Sequence, residues 1–595
     1  MDNGKYEMAR WNLKDLLPAH EGPELDKVLA EYDRQIKDFE EIRPQLKPDM
    51  STAEFVEILQ GYEALHVTGY RLGAYAHLWF TEDTQSQAAL GFMGRIDQIN
   101  VEASNRTLFF SLWWKSLDDG DAARLMGTSG DYRYHLESLR RFKPHTLSEP
   151  EEQVINLKDV NGMSAMMTLY DMFTNRLTFE LEIDGQKKKM TRAELMIYAR
   201  DPNPNLRAAA YRELYTHVYA EQANLLGQIY SYRVRDWYSE NIQLRHHTSP
   251  LSVRNLANDI PDAAADVLLD TCRKNASLFQ RYFKLKARWL GVDKLRRYDI
   301  YAPVAASEKQ YAYPDAVNMV LDSLCAFSPV IADKARRVFA DTHIDAQVRP
   351  GKQGGAFCYS PLPKLTPYVL LNYTGRARDV AVMAHELGHA IHGMMAENHT
   401  LLTFHSSLPL AETASVFSEM ILTDKLLSEE TDVAVRRDIL ATQIDDAYAT
   451  VMRQAYFVLF EREAHELILN GATSDVLSEH YLANLSEQFG DAVEVSDEFR
   501  LEWVSIPHIY HTPFYCYAYS FGQLLVLSLY QRYKSEGESF KPKYLKILGY
   551  GGSESPARIL AEAGIDIASP EFWQGGFDVL KRTIDELEKL EAVPA

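Results

Sequence analysis

The stretch AVMAHELGHAIHGMMAEN, residues 381–398, decides how the chain is read. Val380, Met383, Ala384, Leu387, Ile391 and Met394 recur at the spacing of one helical face. They predict a helix over about 380–396, with Asp379 as its N-cap after Gly375. His385, Glu386 and His389 spell H-E-x-x-H. On a helix the two histidines sit about 40° and about 6 Å apart, so both imidazoles can meet one ion at roughly 2.0–2.1 Å. Glu386 is rotated by about 100° from His385, beside the ion but not on it, which suits a base that takes a proton from water. His392 lies about 10 Å further along the axis than His385, and Glu397 about 18 Å, so neither can share that ion. For His392 the alternatives are a buried histidine and a substrate contact.

A third ligand must come from elsewhere. The metzincin extension needs glycine at position 392 and histidine at 395, where this chain has His392 and Met395. The segment SLPLAETASVFSEMILTDKLL, residues 407–427, offers glutamates instead. Pro409 opens a predicted helix on which Glu412 and Glu419 are i, i+7 and share a face. Two carboxylates on an otherwise apolar helix are costly unless paired or coordinating; the competing reading is an exposed pair. Glu412 is the better ligand, because a loop of about a dozen residues allows an antiparallel return. Glu419 could orient a histidine from behind.

Composition frames this site. The 595 residues are 46% hydrophobic and 25% charged, an ordinary globular mixture for more than one domain-sized core. The net charge of −21 disfavours nucleic acid. Four dispersed cysteines make neither a disulfide framework nor a cysteine metal site. The amino-terminal segment has no signal-peptide core, and no apolar run is long enough to span a membrane, so a cytoplasmic protein is expected. The apolar run of residues 514–530 is interrupted by Gly, Gln and Ser and reads as a buried helix.

Most of the remaining chain has helical periodicity. Amphipathic segments run to about residue 140, a loop-like stretch spans 141–153, and Leu177 to Ile183 alternate as a strand entering a turn at Asp184-Gly185. Thr191 and Glu194 form a capping box. Two prolines place a boundary near 205, giving an N-terminal helical lobe, 1–204, and a catalytic region, 205–595. Residues 366–375 are the clearest strand before the histidine helix. The glycine cluster at 549–552 lacks the P-loop lysine and reads as a turn into a helix capped by Ser555. Residues 577–592 read as a terminal amphipathic helix. The strip IPHIYHTPFYCYAYSFGQ, residues 506–523, holds His508, Tyr510, His511, Tyr515, Tyr517 and Tyr519. These rings either pack a core or point donors at an oxyanion.

Together these motifs resemble the zinc oligopeptidases that include oligoendopeptidase F and thimet oligopeptidase. HELGHAIHG is similar to that family's zinc helix, AETASVFSE to its glutamate segment, and the His/Tyr strip to its substrate segment. WNLKDLLP, HTLSEPEE, GAFCYS and GGSESPARILAEAGIDIASPEFW extend the likeness to the oligoendopeptidase F branch over nearly the whole chain. The resemblance implies a mostly α, two-lobed helical zincin with a deep substrate channel and a small β-sheet near the zinc helix. It implies one Zn²⁺ on His385, His389 and Glu412, Glu386 as general base, and His508 with Tyr515 or Tyr517 at the scissile carbonyl. The implied substrates are short, unstructured oligopeptides, which could pair with the strand at 366–373, with no nucleic acid or membrane partner. The alternatives are a carboxypeptidase or dipeptidyl carboxypeptidase on the same scaffold, and a non-catalytic peptide binder.

Overall fold

The computed structural model describes residues 6–304 and 309–591. The first five residues of the amino-terminal segment and Ala592 of the terminal helix lie outside them. Helices dominate, and the chain divides into two compact units. The first holds residues 1–143, 308–429 and 532–566; the second holds 144–307, 430–531 and 567–595. The residue-205 boundary read from the prolines falls inside the second unit, where Asn203 caps the helix Pro204–Arg212.

In the first unit, the long helices Thr52–Glu82 and Gln87–Ser116 form a core with Trp11, Leu16 and Leu17 of the WNLKDLLP segment. Tyr368 and Leu370 join that core. They belong to the central strand of a three-stranded sheet, in which Tyr368–Leu370 lies between Ile344–Asp345, parallel, and Phe357–Tyr359, antiparallel. The expected strand at 366–375 is therefore three residues long and paired on both sides. A peptide cannot add to it; the outer strands are Ile344–Asp345 and Phe357–Tyr359, and Phe357–Tyr359 is the one that lines the histidine cavity.

The histidine helix runs Ala377–Met395, starting three residues before the expected position. Asp379 is not its N-cap; from inside the first turn its carboxylate accepts the backbone N–H of Thr374 and Arg376. After it, residues 399–404 are held by the N-terminal helical region. Asp131 accepts from His399 Nδ1 and the Thr400 N–H, and Glu63 accepts the Leu401 N–H. Gly552 donates to Thr403, and Ser555 caps Pro556–Glu562, so the glycine cluster is a packed turn.

In the second unit, the hairpin Phe179–Ile183/Gln186–Met190 forms with Asp184 and Gly185 both at positive φ, as its Asp-Gly turn requires. Thr191 and Glu194 make the expected capping box. The stretch read as a loop over 141–153 already turns helical at Glu149, because Ser148 and Glu151 cap one another. Tyr517–Glu536 takes up the apolar run from Tyr517 onward, after a turn that holds its first three residues, and is buried along most of that run. No helix among the described residues is long and apolar enough to cross a membrane.

Burial alone would raise the Asp131 carboxyl, but hydrogen bonds from His399, Thr400 and Thr403 hold it down at about 2. Its contribution is therefore complete above the ordinary aspartate pKa of about 3.9 and disappears as pH falls through about 2. His399 is raised by the same pair, so its share is complete below about pH 6.5 and is lost as pH rises through its folded pKa. Asp131→Asn should cost about 1 kcal/mol near pH 6, after discounting for solvent at this half-buried pair. Thermal unfolding of both proteins across pH should show the gap narrowing in acid; a gap unchanged at about pH 3 would refute the linkage.

Candidate metal and active site

The site begins with two imidazoles one helical turn apart. His385 Nε2 and His389 Nε2 are 3.2 Å from each other. Glu412 Oε2 lies 3.3 Å from the first and 3.5 Å from the second. Around a tetrahedral ion with ligand bonds of roughly 2.0–2.1 Å, ligand atoms are spaced about 3.3–3.4 Å apart. The three atoms thus form one face of a zinc-sized tetrahedron, the single His/Cys/Asp/Glu cluster of this kind among the described residues.

Glu412 reaches this position from a 3₁₀ turn, Leu408–Thr413, and not from an α-helix. The α-helix starts at Ser415 and carries Glu419. Ser415 Oγ donates to Glu412 Oε2 at 2.6 Å, leaving the carboxylate pinned toward the histidines. Glu419 Oε1 accepts from His385 Nδ1 at 2.5 Å. That bond fixes the tautomer that leaves Nε2 as a ligand. Gly388 is what lets these elements close: a Cβ there would stand 2.5 Å from Ser415 Cα and 2.6 Å from Ala414 O. Sequence reasoning passed over this residue, although a glycine inside an otherwise regular helix is the signal for close packing.

Charge favours a cation in the same place. Burial lowers the His385 pKa, yet Glu419, Glu412 and Glu386 together bring it up to about 9. The imidazole is drawing in the positive charge that three carboxylates demand. Donor type, spacing and charge therefore all suit a divalent ion. Glu386 is 7% exposed. Burial pushes its carboxyl up to about 7, with His385 and the Cys358 N–H opposing the rise. Cys358 lies on an outer strand of the three-stranded sheet. The histidines, Glu386, Cys358 and Phe404 line one cavity of about 490 Å³.

His392 is buried beside this cavity and its pKa is lowered to about 4, chiefly by burial. Glu397 is satisfied by Lys334 and Arg337, each at 3.0 Å. The His/Tyr strip belongs to the second unit. There His508 and Tyr515 are parallel, with centroids 6.1 Å apart, and the Tyr519 hydroxyl lies 3.4 Å from His508 Nε2. Tyr517 points inward, fully buried, and accepts from Asn258 Nδ2 at 2.8 Å. Tyr510 stacks on Tyr170, and His511 pairs with Asp171. His508, Tyr515 and Tyr519 thus form one partly exposed group, which adds Tyr519 to the His508 and Tyr515 that the sequence reading named.

This geometry agrees with comparison against known proteins. Residues 197–579 match peptidase family M3, and residues 113–179 match the Oligopeptidase F amino-terminal family. The chain belongs to peptidase family M3. Oligopeptidase PepF of Bacillus subtilis (strain 168) is 26% identical over 98% of this chain and 87% of its own length. Group B oligopeptidase PepB of Streptococcus agalactiae is 27% identical over 87% of each. Among solved structures, a protein from Chlamydophila abortus superposes with a TM-score of 0.85 at 24% identity, covering 98% of both chains. Oligoendopeptidase-F from Enterococcus faecium gives 0.72 at 22% identity over 95% of this chain and 99% of that one. These likenesses establish the mostly helical fold.

Glu419→Ala should weaken zinc binding by about 10- to 100-fold, because His385 loses the partner that orients it. Competition with a chromogenic chelator reads this directly. An affinity equal to wild type would show that Glu419 does not support the ligand.

Proposed function

We propose that this M3 peptidase is a zinc metalloendopeptidase that cleaves internal bonds of short, unstructured oligopeptides. The observation that carries the reading is the triangle of His385, His389 and Glu412 beside the buried Glu386. One zinc ion held by those three residues would supply Lewis acidity, polarising a peptide carbonyl and acidifying water. Glu386, buried beside His385, takes the proton from the attacking water and returns it to the leaving amine. The outer edge of Phe357–Tyr359 gives an extended substrate a backbone to pair with. His508 and Tyr515 are the proposed donors to the developing oxyanion, on the likeness of their segment to the family's. Tyr517, the alternative, has its hydroxyl engaged by Asn258. Oligopeptide substrates follow from the names of the relatives. The four cysteines are unpaired, which suits a reducing cytoplasm.

Glu386→Gln should retain one zinc per chain by elemental analysis and lose nearly all turnover; near wild-type cleavage would remove Glu386 from the base's role. Glu412→Ala should lose the metal, and stoichiometric zinc in that protein would point to another ligand. A peptide blocked at both ends separates an endopeptidase, which cuts it, from a strict carboxypeptidase, which does not.

A further inference from the structure

The first unit contains a second cavity, of about 240 Å³, that the proposed chemistry does not use. The helices Thr52–Glu82 and Gln87–Ser116 supply most of its wall, and Tyr359 of the outer strand borders it. Tyr359 also lines the histidine cavity. Tyr70 of the second cavity stacks on His405 of the first, with ring centroids 6.1 Å apart. The two cavities are therefore neighbours within one compact unit, with Tyr359 as a common wall.

Its shape comes from two glycines one turn apart on Thr52–Glu82. A Cβ at Gly69 would stand 2.5 Å from the Tyr32 hydroxyl oxygen, so the chain packs there only without a side chain. That hydroxyl donates to Asn100 Oδ1 at 3.1 Å, which ties two residues of the lining together. Gly73 is different. A Cβ there would come no closer than 3.4 Å to any neighbour, and that neighbour is Asn100 Nδ2 in the lining. Glycine inside a helix costs stability relative to alanine. Packing does not demand it at Gly73, and its effect is to leave the hollow open.

The lining fits one class of side chain. No Asp, Glu, Lys or Arg among the described residues borders the cavity. His66 adds no charge at neutral pH, because burial lowers its pKa. Tyr32, His66, Tyr70 and Tyr359 contribute rings. An apolar cavity of about 150 Å³ holds benzene, so this volume admits one aromatic ring. A charged side chain would lose hydration there and find no counter-charge.

We propose that this cavity receives an aromatic side chain of the bound oligopeptide and thereby selects the bond that is cut. This rests on the peptidase reading and deepens it. A peptide extended along Phe357–Tyr359 reaches Tyr359 where the two cavities meet. Successive side chains of an extended peptide point to opposite faces, so only alternate residues can enter. A ring seated beyond Tyr359 fixes the register of the backbone against Glu386 and the histidines. The cut then falls at one constant spacing from the aromatic residue.

The test uses end-blocked peptides of alanine and glycine that carry one Phe, moved stepwise along the sequence, with Ala or Lys in its place as controls. Mass spectrometry should show the cut moving with the Phe at a fixed spacing. Wild type should favour Phe over Ala by about tenfold or more in kcat/KM. Gly73→Leu puts a side chain into the hollow; it should bring that ratio to within about twofold and release the fixed spacing. Ser104→Trp fills the cavity from an exposed position on the other helix and should do the same. It decides if Gly73→Leu fails to fold by near-ultraviolet circular dichroism. Calorimetric binding of the Phe and Ala peptides to the zinc-loaded Glu386→Gln protein gives the comparison without turnover. Cuts that do not follow the Phe, a wild-type ratio within about twofold, or a preference that survives either folded variant overturns the proposal. So does a Lys peptide cut as well as the Phe peptide. Wild-type cleavage of the blocked peptide with Ala in place of Phe tests the peptidase reading separately.

Discussion

The close crossing at Gly388 is the constraint on which the metal site depends. Backbone of the Glu412 segment approaches the histidine helix where no side chain intervenes. Only at that separation can a short glutamate from a 3₁₀ turn reach two imidazoles on the neighbouring helix. Every other brace acts within that geometry. Ser415 aims Glu412 and Glu419 aims His385. Both belong to the helix that follows the Glu412 turn. The segment is thus a ligand and a scaffold at once.

The sheet supplies the opposite wall. Its central strand is anchored in the core of the N-terminal helices through Tyr368 and Leu370. Its edge strand brings Cys358 to the cavity that Glu386 and the histidines line. The return loop after the helix is fixed in the same way, by Asp131 and Glu63 from the N-terminal region. Residues distant in sequence therefore bear on the zinc helix within one compact unit.

What the sequence revealed follows from which contacts are local. His385 and His389 are legible because 3.6-residue periodicity fixes their relative position, and the same rule excludes His392 and Glu397. Glu412 is legible from ligand chemistry and loop length, but its 3₁₀ turn is not, since the apolar spacing through Leu410 and Ala414 continues smoothly into the helix at Ser415. The edge strand escapes notice because three residues carry no alternation. Tyr517 and Tyr519 could have been separated: two residues on a helix are about 200° apart, so a helix starting at Tyr517 sends one ring inward and the other out. The two-residue spacing of the tyrosines looks like a strand's, which hides that division.

Two buried charge groups show how differently ions are accommodated in one chain. Lys352 has a fully buried side chain, and its ammonium meets Asp345 Oδ1 and the carbonyls of Asp345, Gln347 and Leu371. With four acceptors for three protons, this ion is satisfied and ties the sheet's parallel strand to the loop beyond it. In the Arg297–Glu502–Arg453 group two cations share one oxygen, and Glu502 Oε2 and several guanidinium nitrogens are buried without a hydrogen-bond partner. The distinction is completeness. A closed hydrogen-bond shell around Lys352 offsets its desolvation, whereas the arginine–glutamate group leaves part of that cost uncompensated.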